Sequence, residues 1–247
     1  MNEYINLDIN NIDEEHICCA IGDKKHQLGV ANKKEWIKSK LKDGHVFRKL
    51  NARGKIFIEY EPLETAWVPI DGKNYMYIYC LWVAGSFKTK GIGKELLEYA
   101  INDAKTKKMN GICTLVSKKK KPFIGDKNFF LHFGFKVVDT INDYELITLE
   151  FNKSETPKFK ENAKKMEIDD KDFTIYYSNE CPYVTYEIEE LNSYAKENNI
   201  KINFIKIDSL EKAKNVPCIF NNWANFYKGK FISNTILNAN ALEKLIK

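Results

Sequence analysis

Apolar residues recur along this chain in two rhythms, and the switches between them mark its elements. Positions 45–50 and 55–61 alternate in the manner of strands, with 51–54 as the turn between them. Segments 65–70 and 75–83 are apolar runs flanking Asp71-Gly72-Lys73-Asn74, which predicts a hairpin. Over 92–108 the rhythm changes to that of a helix, with Leu96, Leu97, Ala100, Ile101 and Ala104 on one face. Strands are expected at 112–117, 135–139 and 144–151, with a short helix at 126–132 ending in Phe133-Gly134-Phe135. Two helices are expected earlier, at 12–22 and 33–41. Asp13 and Asn32 are their N-caps and Gly44 is the stop after the second.

From 152 to 171 the pattern dissolves into charged and polar residues, which read as a linker, in part helical. Order returns with a strand at 173–177, a helix at 182–198 and a strand at 201–207. Strands at 216–220 and 225–232 follow, with a turn or bulge at 228–230, and a helix at 239–246 closes the chain. The expected organisation is a first domain over 1–151, a linker over 152–171 and a smaller α/β domain over 172–247.

Composition narrows the classes of function. The chain has 247 residues, 44% hydrophobic and 30% charged, as in ordinary globular proteins. Its net charge of +5 comes almost wholly from lysine. Arg48 and Arg53 are the only arginines, so a nucleic-acid partner is not expected. No stretch is apolar for long enough to span a membrane, and the first residues lack the regions of a signal peptide. The expected location is cytoplasmic. Six cysteines form no Cys-x-x-Cys pair or zinc spacing, and four histidines show no metal spacing, so no metal is expected.

Candidate chemistry concentrates after the 75–83 strand. The segment Leu81-Trp82-Val83 runs into a basic loop, Lys88-Thr89-Lys90-Gly91-Ile92-Gly93-Lys94, that opens directly into a helix. The first amides of a helix have no carbonyl partners and sit at the positive end of its dipole. Two glycines keep the backbone bare, and three lysines add charge, so a diphosphate would be held there. A third glycine and a following acidic residue, which a Rossmann fingerprint requires, are missing. The run Lys118 to Lys121 is either a solvated loop or a further anion contact.

These residues resemble the acyl-coenzyme A signature of the GNAT N-acetyltransferases, Gln/Arg-x-x-Gly-x-Gly/Ala after a Leu-x-Val strand end. Here Leu81-x-Val83 and Lys88-x-x-Gly91-x-Gly93 match, with lysine keeping the charge of arginine but not its planar fork. The C-terminal order of strands and helices, with Cys181-Pro182-Tyr183 at a turn and Val216-Pro217 where a cis-proline would fall, resembles a thioredoxin-like fold. Nearly the whole chain is similar to acetyltransferases carrying a YoaP-like C-terminal domain. The resemblance implies a GNAT mixed sheet flanked by helices, plus a smaller thioredoxin-like α/β domain.

It further implies acetyl-coenzyme A as cosubstrate and an acceptor amine on a small molecule or a protein, with oligomeric state left open. Peptide groups along Leu81, Trp82 and Val83 would serve the pantetheine arm, and amides from Lys88 to Lys94 the pyrophosphate. Relatives often carry a tyrosine where Phe130 stands, and a glutamate on the strand where Tyr79 and Cys80 stand. Among the nearby carboxylates Glu59, Glu61 and Glu64, the expected hairpin sets Glu64 opposite Leu81, making it the candidate base. Cys181, at a helix start, is either a vestigial cysteine in a domain used for substrate binding or dimerisation, which is the favoured reading, or a redox thiol that could pair with Cys218. That leaves a rival class, a coenzyme A-binding redox or sensing protein that transfers no acetyl group.

Overall fold

The computed structural model describes residues 2–121 and 123–246 and divides into two compact units. The first comprises 1–21, 37–66 and 70–159; the second comprises 22–36, 67–69 and 160–247.

In the first unit, β1 (Tyr4–Asn6) precedes α1 (Gln27–Leu41), whose residues up to Trp36 group with the second unit. Next come β2 (Val46–Leu50), β3 (Ile56–Pro62), β4 (Ile70–Asp71), β5 (Tyr75–Val83), α2 (Ile92–Thr106), β6 (Gly111–Ser117), α3 (Lys127–His132), β7 (Lys136–Ile141), β8 (Tyr144–Glu150) and β9 (Lys158–Phe159). Seven of the strands form one mixed sheet in the order β1-β2-β3-β5-β6-β8-β7. Its pairs are antiparallel except β5 and β6. α2 covers one face because its apolar stripe, Ile92, Leu96, Leu97, Ala100 and Ala104, packs on Ile56, Ile58, Met76, Ile78 and Ile112. Burying each leucine of that stripe is worth about 1.5–3 kcal/mol.

Several expected elements differ. No helix forms over 12–22: Cys18, Ala20 and Gly22 have positive φ, which interrupts helical bonding. Ile12, Ile17 and Cys18 are buried there by tertiary packing instead. Asp13 pairs with Lys38 at 2.7 Å rather than capping a helix. The second helix starts six residues earlier than expected, at Gln27, after a short turn capped by Asp23. Asn32 is therefore mid-helix, and its amide donates to Thr185 Oγ1 at 3.0 Å. The 71–74 turn does not join paired strands. β5 pairs with β3, and β4 shrinks to two residues that pair with β9.

The second unit carries α4 (Glu161–Lys164), β10 (Phe173–Tyr177), α5 (Val184–Glu197), β11 (Ile202–Lys206), α6 (Leu210–Lys214), β12 (Trp223–Tyr227), β13 (Lys230–Ser233) and α7 (Ala239–Ile246). Its sheet runs β11-β10-β12-β13, with β10 and β11 parallel and the other pairs antiparallel. The charged stretch over 152–171 is not free chain, since Phe159, Ala163 and Met166 are buried. Residues 216–220 form no strand, and the expected strand at 225–232 is a hairpin turning at Lys228-Gly229. Among the described residues no peptide bond is cis, including the one before Pro217.

Candidate active site

The parallel pair at the middle of the large sheet does not stay together. β5 bonds to β6 only from Tyr75↔Gly111 to Ile78↔Thr114, and the Thr114 hydroxyl donates to Ile78 O at 2.9 Å at that last step. Beyond it β6 continues with β8 as far as Ser117↔Tyr144, while β5 continues with β3 as far as Val83↔Ile56. The strands part, and a cleft of about 960 Å³ opens between them. Backbone polarity alternates along a strand. The Ala84 amide bonds to Lys55 O on the β3 side, so the peptide groups of Val83 and Leu81 face the parted edge.

The floor of the cleft is the start of α2. Gly91 is its N-cap with φ +78°, a left-handed conformation that costs other residues about 1–2 kcal/mol. No side chain caps this end, and the first intrahelical bond is Glu95 N–H to Gly91 O. A Cβ at Gly91 would meet nothing within 4 Å. Gly93 differs: a Cβ there would touch Phe129 and Val83 at ordinary contact distance, 3.5–3.8 Å.

Of the ten residues the sequence assigned to the carrier, nine line this cleft: Leu81, Trp82, Val83, Lys88, Thr89, Gly91, Ile92, Gly93 and Lys94. Lys90 does not line it; its ammonium lies 5.7 Å above the Phe87 ring. Lys118, Lys120 and Lys121 border the far side. Two of them lean on the β7–β8 turn, Lys118 donating to Asn142 O and Lys121 standing 3.5 Å from Asp143. Phe130 lies in the cleft wall and is 2% exposed, packed on Phe135.

Glu64 is not where the expected hairpin put it. Ile58 stands opposite Leu81, and Glu64 sits in the turn after β3, where its carboxylate accepts from the Asn74 amide at 2.6 Å. The register moved because β5 found β3, not the 65–70 segment, as its partner. Sequence reasoning also gave the histidines no role. His45 is buried between Glu59 and Glu61, at 3.0 and 2.7 Å. Two carboxylates at alternate positions of a buried strand were the available sign of that arrangement.

In the second unit the turn before α5 carries Cys181. Residues 22–36 pack on it: His26 meets the rings of Tyr183 and Tyr186 edge-on at 4.8 and 5.7 Å, and Lys25 pairs with Glu187 at 2.9 Å. A Cβ at Gly29 would overlap the carbonyl oxygen of Pro182. The Cys218 thiol is buried, donates to Phe220 O, and is pushed up to about 12 by desolvation.

The parted parallel strands over a bare, glycine-started helix define an α/β protein with an open, lysine-bordered cleft at the middle of its sheet. Comparison with known proteins makes this specific. Residues 52–137 match the model for the acetyltransferase (GNAT) domain, and residues 201–244 match the YoaP-like model. The chain is 39% identical over 245 residues to the protein named "Uncharacterized N-acetyltransferase YoaP" of Bacillus subtilis (strain 168), covering 98% of each. Two solved structures are also similar. PaiA N-acetyltransferase from Thermoplasma acidophilum in complex with coenzyme A has TM-score 0.44 and 19% identity, over 61% of this chain and 99% of that one. A GNAT family acetyltransferase from Brucella melitensis in complex with acetyl-CoA has TM-score 0.41 and 14% identity, over 63% and 92%. The chain belongs to the GNAT family of N-acetyltransferases.

Proposed function

We propose that this protein moves the acetyl group of acetyl-coenzyme A onto an amine, carried by a small molecule or a protein. The observation that carries this reading is the meeting, in one cleft, of the parted β5–β6 edge and the uncapped start of α2. In this reading the amides of Ile92, Gly93 and Lys94 hold the diphosphate, and Lys88 and Lys94, which line the cleft, supply charge. The peptide groups of Leu81 and Val83 offer an extended pantetheine arm the hydrogen bonds that β6 no longer makes. The acetyl group would then lie against the upper part of β5, near Tyr79 and Cys80. Glu64 is withdrawn as base because its carboxylate is engaged in a turn outside the cleft lining.

The second unit we infer to be thioredoxin-like. Its support is the sheet order, two parallel strands joined through a helix and then an antiparallel hairpin. Cys181 is proposed as dispensable to acetyl transfer, since the chain's own 22–36 segment occupies the face of α5's first turn. Among the described residues no helix is long and apolar enough to cross a membrane. We propose the cytoplasm as the compartment, where the acetyl carrier is available.

The test is calorimetry of coenzyme A against the full chain. It is joined to an assay of free thiol released from acetyl-coenzyme A with a polyamine, an amino acid, an aminoglycoside and a lysine peptide. Binding together with amine-dependent thiol release is the expected result. Binding with no turnover across a broad amine panel would favour the sensing class, and no binding at all would remove the assignment.

A further inference from the structure

Behind the cleft wall lies a cluster of charge that carrier binding leaves unused. β3 sets Glu59 and Glu61 two residues apart, so both face away from α2, whose core contacts on this strand are Ile56, Ile58 and Tyr60. His45, just before β2, lies between them. Its Nδ1 is 2.7 Å from Glu61 Oε2 and its Nε2 is 3.0 Å from Glu59 Oε1. Lys40 of α1 closes the row, with Nζ 3.0 Å from Glu61 Oε1 and 3.7 Å from Asp43, and it donates to Thr65 O. The side chains of Lys40, His45, Glu59 and Glu61 are each at most 4% exposed. The Cys18 thiol, bonded to Ile56 O, also feels the charge of Glu59. Burial by itself would lower the imidazole pKa. The hydrogen bonds to Glu59 and Glu61 outweigh it and hold that pKa above its ordinary value.

Buried ion clusters add little net stability, because desolvation consumes the attraction. This one adjoins the reaction centre. The β3–β5 register slips between Glu59↔Cys80 and Tyr60↔Ile78, which leaves Tyr79 as an extra residue. Before the slip Met76 and Ile78 face the α2 core; after it Leu81 and Val83 do. Tyr79 and Cys80, though consecutive, therefore share the opposite face with Glu59. Both line the cleft, at the height where β6 departs. The Tyr79 ring centroid is 5.8 Å from that of His45.

Building on the acetyl-transfer reading, we propose that Glu59, backed by His45 and Glu61, stores the proton released by the reaction, and that the Tyr79 hydroxyl carries it through the cleft wall. An ammonium and an acetyl thioester give an amide, a thiol and one proton. The N–C bond forms, the C–S bond breaks, and the amine nitrogen gives up two protons. One protonates the leaving sulfur. The other enters at Tyr79 as Tyr79 passes its own to the Glu59 carboxylate, and solvent takes it once product has left. Tyr79 is the catalytic residue in this scheme; Glu59, His45 and Glu61 act through it as positioning residues.

The test compares wild type, Tyr79→Phe and Glu59→Gln as full-length chains. Calorimetry with coenzyme A is read alongside the pH profile of kcat/KM, using acetyl-coenzyme A and the fastest amine of the panel above. Coenzyme A affinity should stay within about twofold in both variants. At neutral pH kcat should fall by about tenfold or more, a modest share of what general acid–base catalysis supplies. The acidic limb should move to higher pH, where the amine arrives already deprotonated. Wild-type kcat and an unmoved profile in both variants would overturn the proposal while leaving the transferase assignment intact. Loss of coenzyme A binding by the wild type would instead remove that assignment. Should Glu59→Gln fail to fold, Tyr79→Phe decides alone, since it leaves the buried charges in place.

Discussion

The molecule contains two turns of the same kind, each leading from a strand into a helix, and they have opposite fates. The turn between β5 and α2 ends on Gly91, with no side chain over the helix start and a cleft of about 960 Å³ in front of it. The turn between β10 and α5 holds Cys181-Pro182-Tyr183, with His26 against Tyr183 and Gly29 directly against the Pro182 carbonyl. Each helix start has the same dipole and no side-chain cap, although at α5 the Val184 amide bonds to Cys181 O. The difference lies in what the rest of the chain places there. A helix start stays open where no other segment covers it, and becomes a packing surface where another segment arrives first.

Substitution can break this contrast from either side. Gly91→Asp should have the largest effect. Aspartate there would set a carboxylate beside the α2 amides, in the proposed diphosphate site. Coenzyme A affinity by calorimetry should drop on the order of 100-fold from the repulsion, and the left-handed φ should cost about 1–2 kcal/mol of stability. Unaltered affinity would mean that α2 does not receive the diphosphate.

Gly29→Ala acts on the other turn. The added methyl overlaps Pro182 O, so urea unfolding should show a loss of about 1–3 kcal/mol, the usual range for overpacking. Unchanged stability would mean that the segment does not sit tightly on the Cys181 turn. Gly93→Ala should alter coenzyme A affinity by no more than about twofold, because its methyl would enter ordinary contact with Phe129 and Val83. That sharpens the first turn by separating a glycine required by its conformation from one that is not.

The smallest effect belongs to Cys181→Ser, which should leave acetyl transfer within assay error. In the same region, alkylation at pH 8 should spare Cys218 until the chain unfolds, because its thiol is buried and pushed up to about 12. Rapid labelling of Cys218 in the native protein would show that this part of the second unit opens readily.

The sequence by itself determined the parts whose signals are local. The apolar run of β5, the spacing of Lys88, Gly91 and Gly93, and the stripe of α2 are carried by neighbouring residues and came out at nearly their true bounds. β10 and α7 were equally legible for the same reason. Tertiary structure decided everything that depends on pairing between distant segments. The Asp71–Asn74 signal suggested a hairpin, but β3 outcompeted 65–70 for β5, and with that register Glu64 left the cleft. The bulge at Tyr79 reverses the facing of every later residue in its strand, and no periodicity announces it. Nor could residues 22–36 be assigned to the Cys181 turn from their own pattern, since the reason they lie there is the surface of α5. Local sequence fixes which backbone conformations are cheap. Only long-range packing chooses which amides are covered, which charges are buried together, and which cleft stays open.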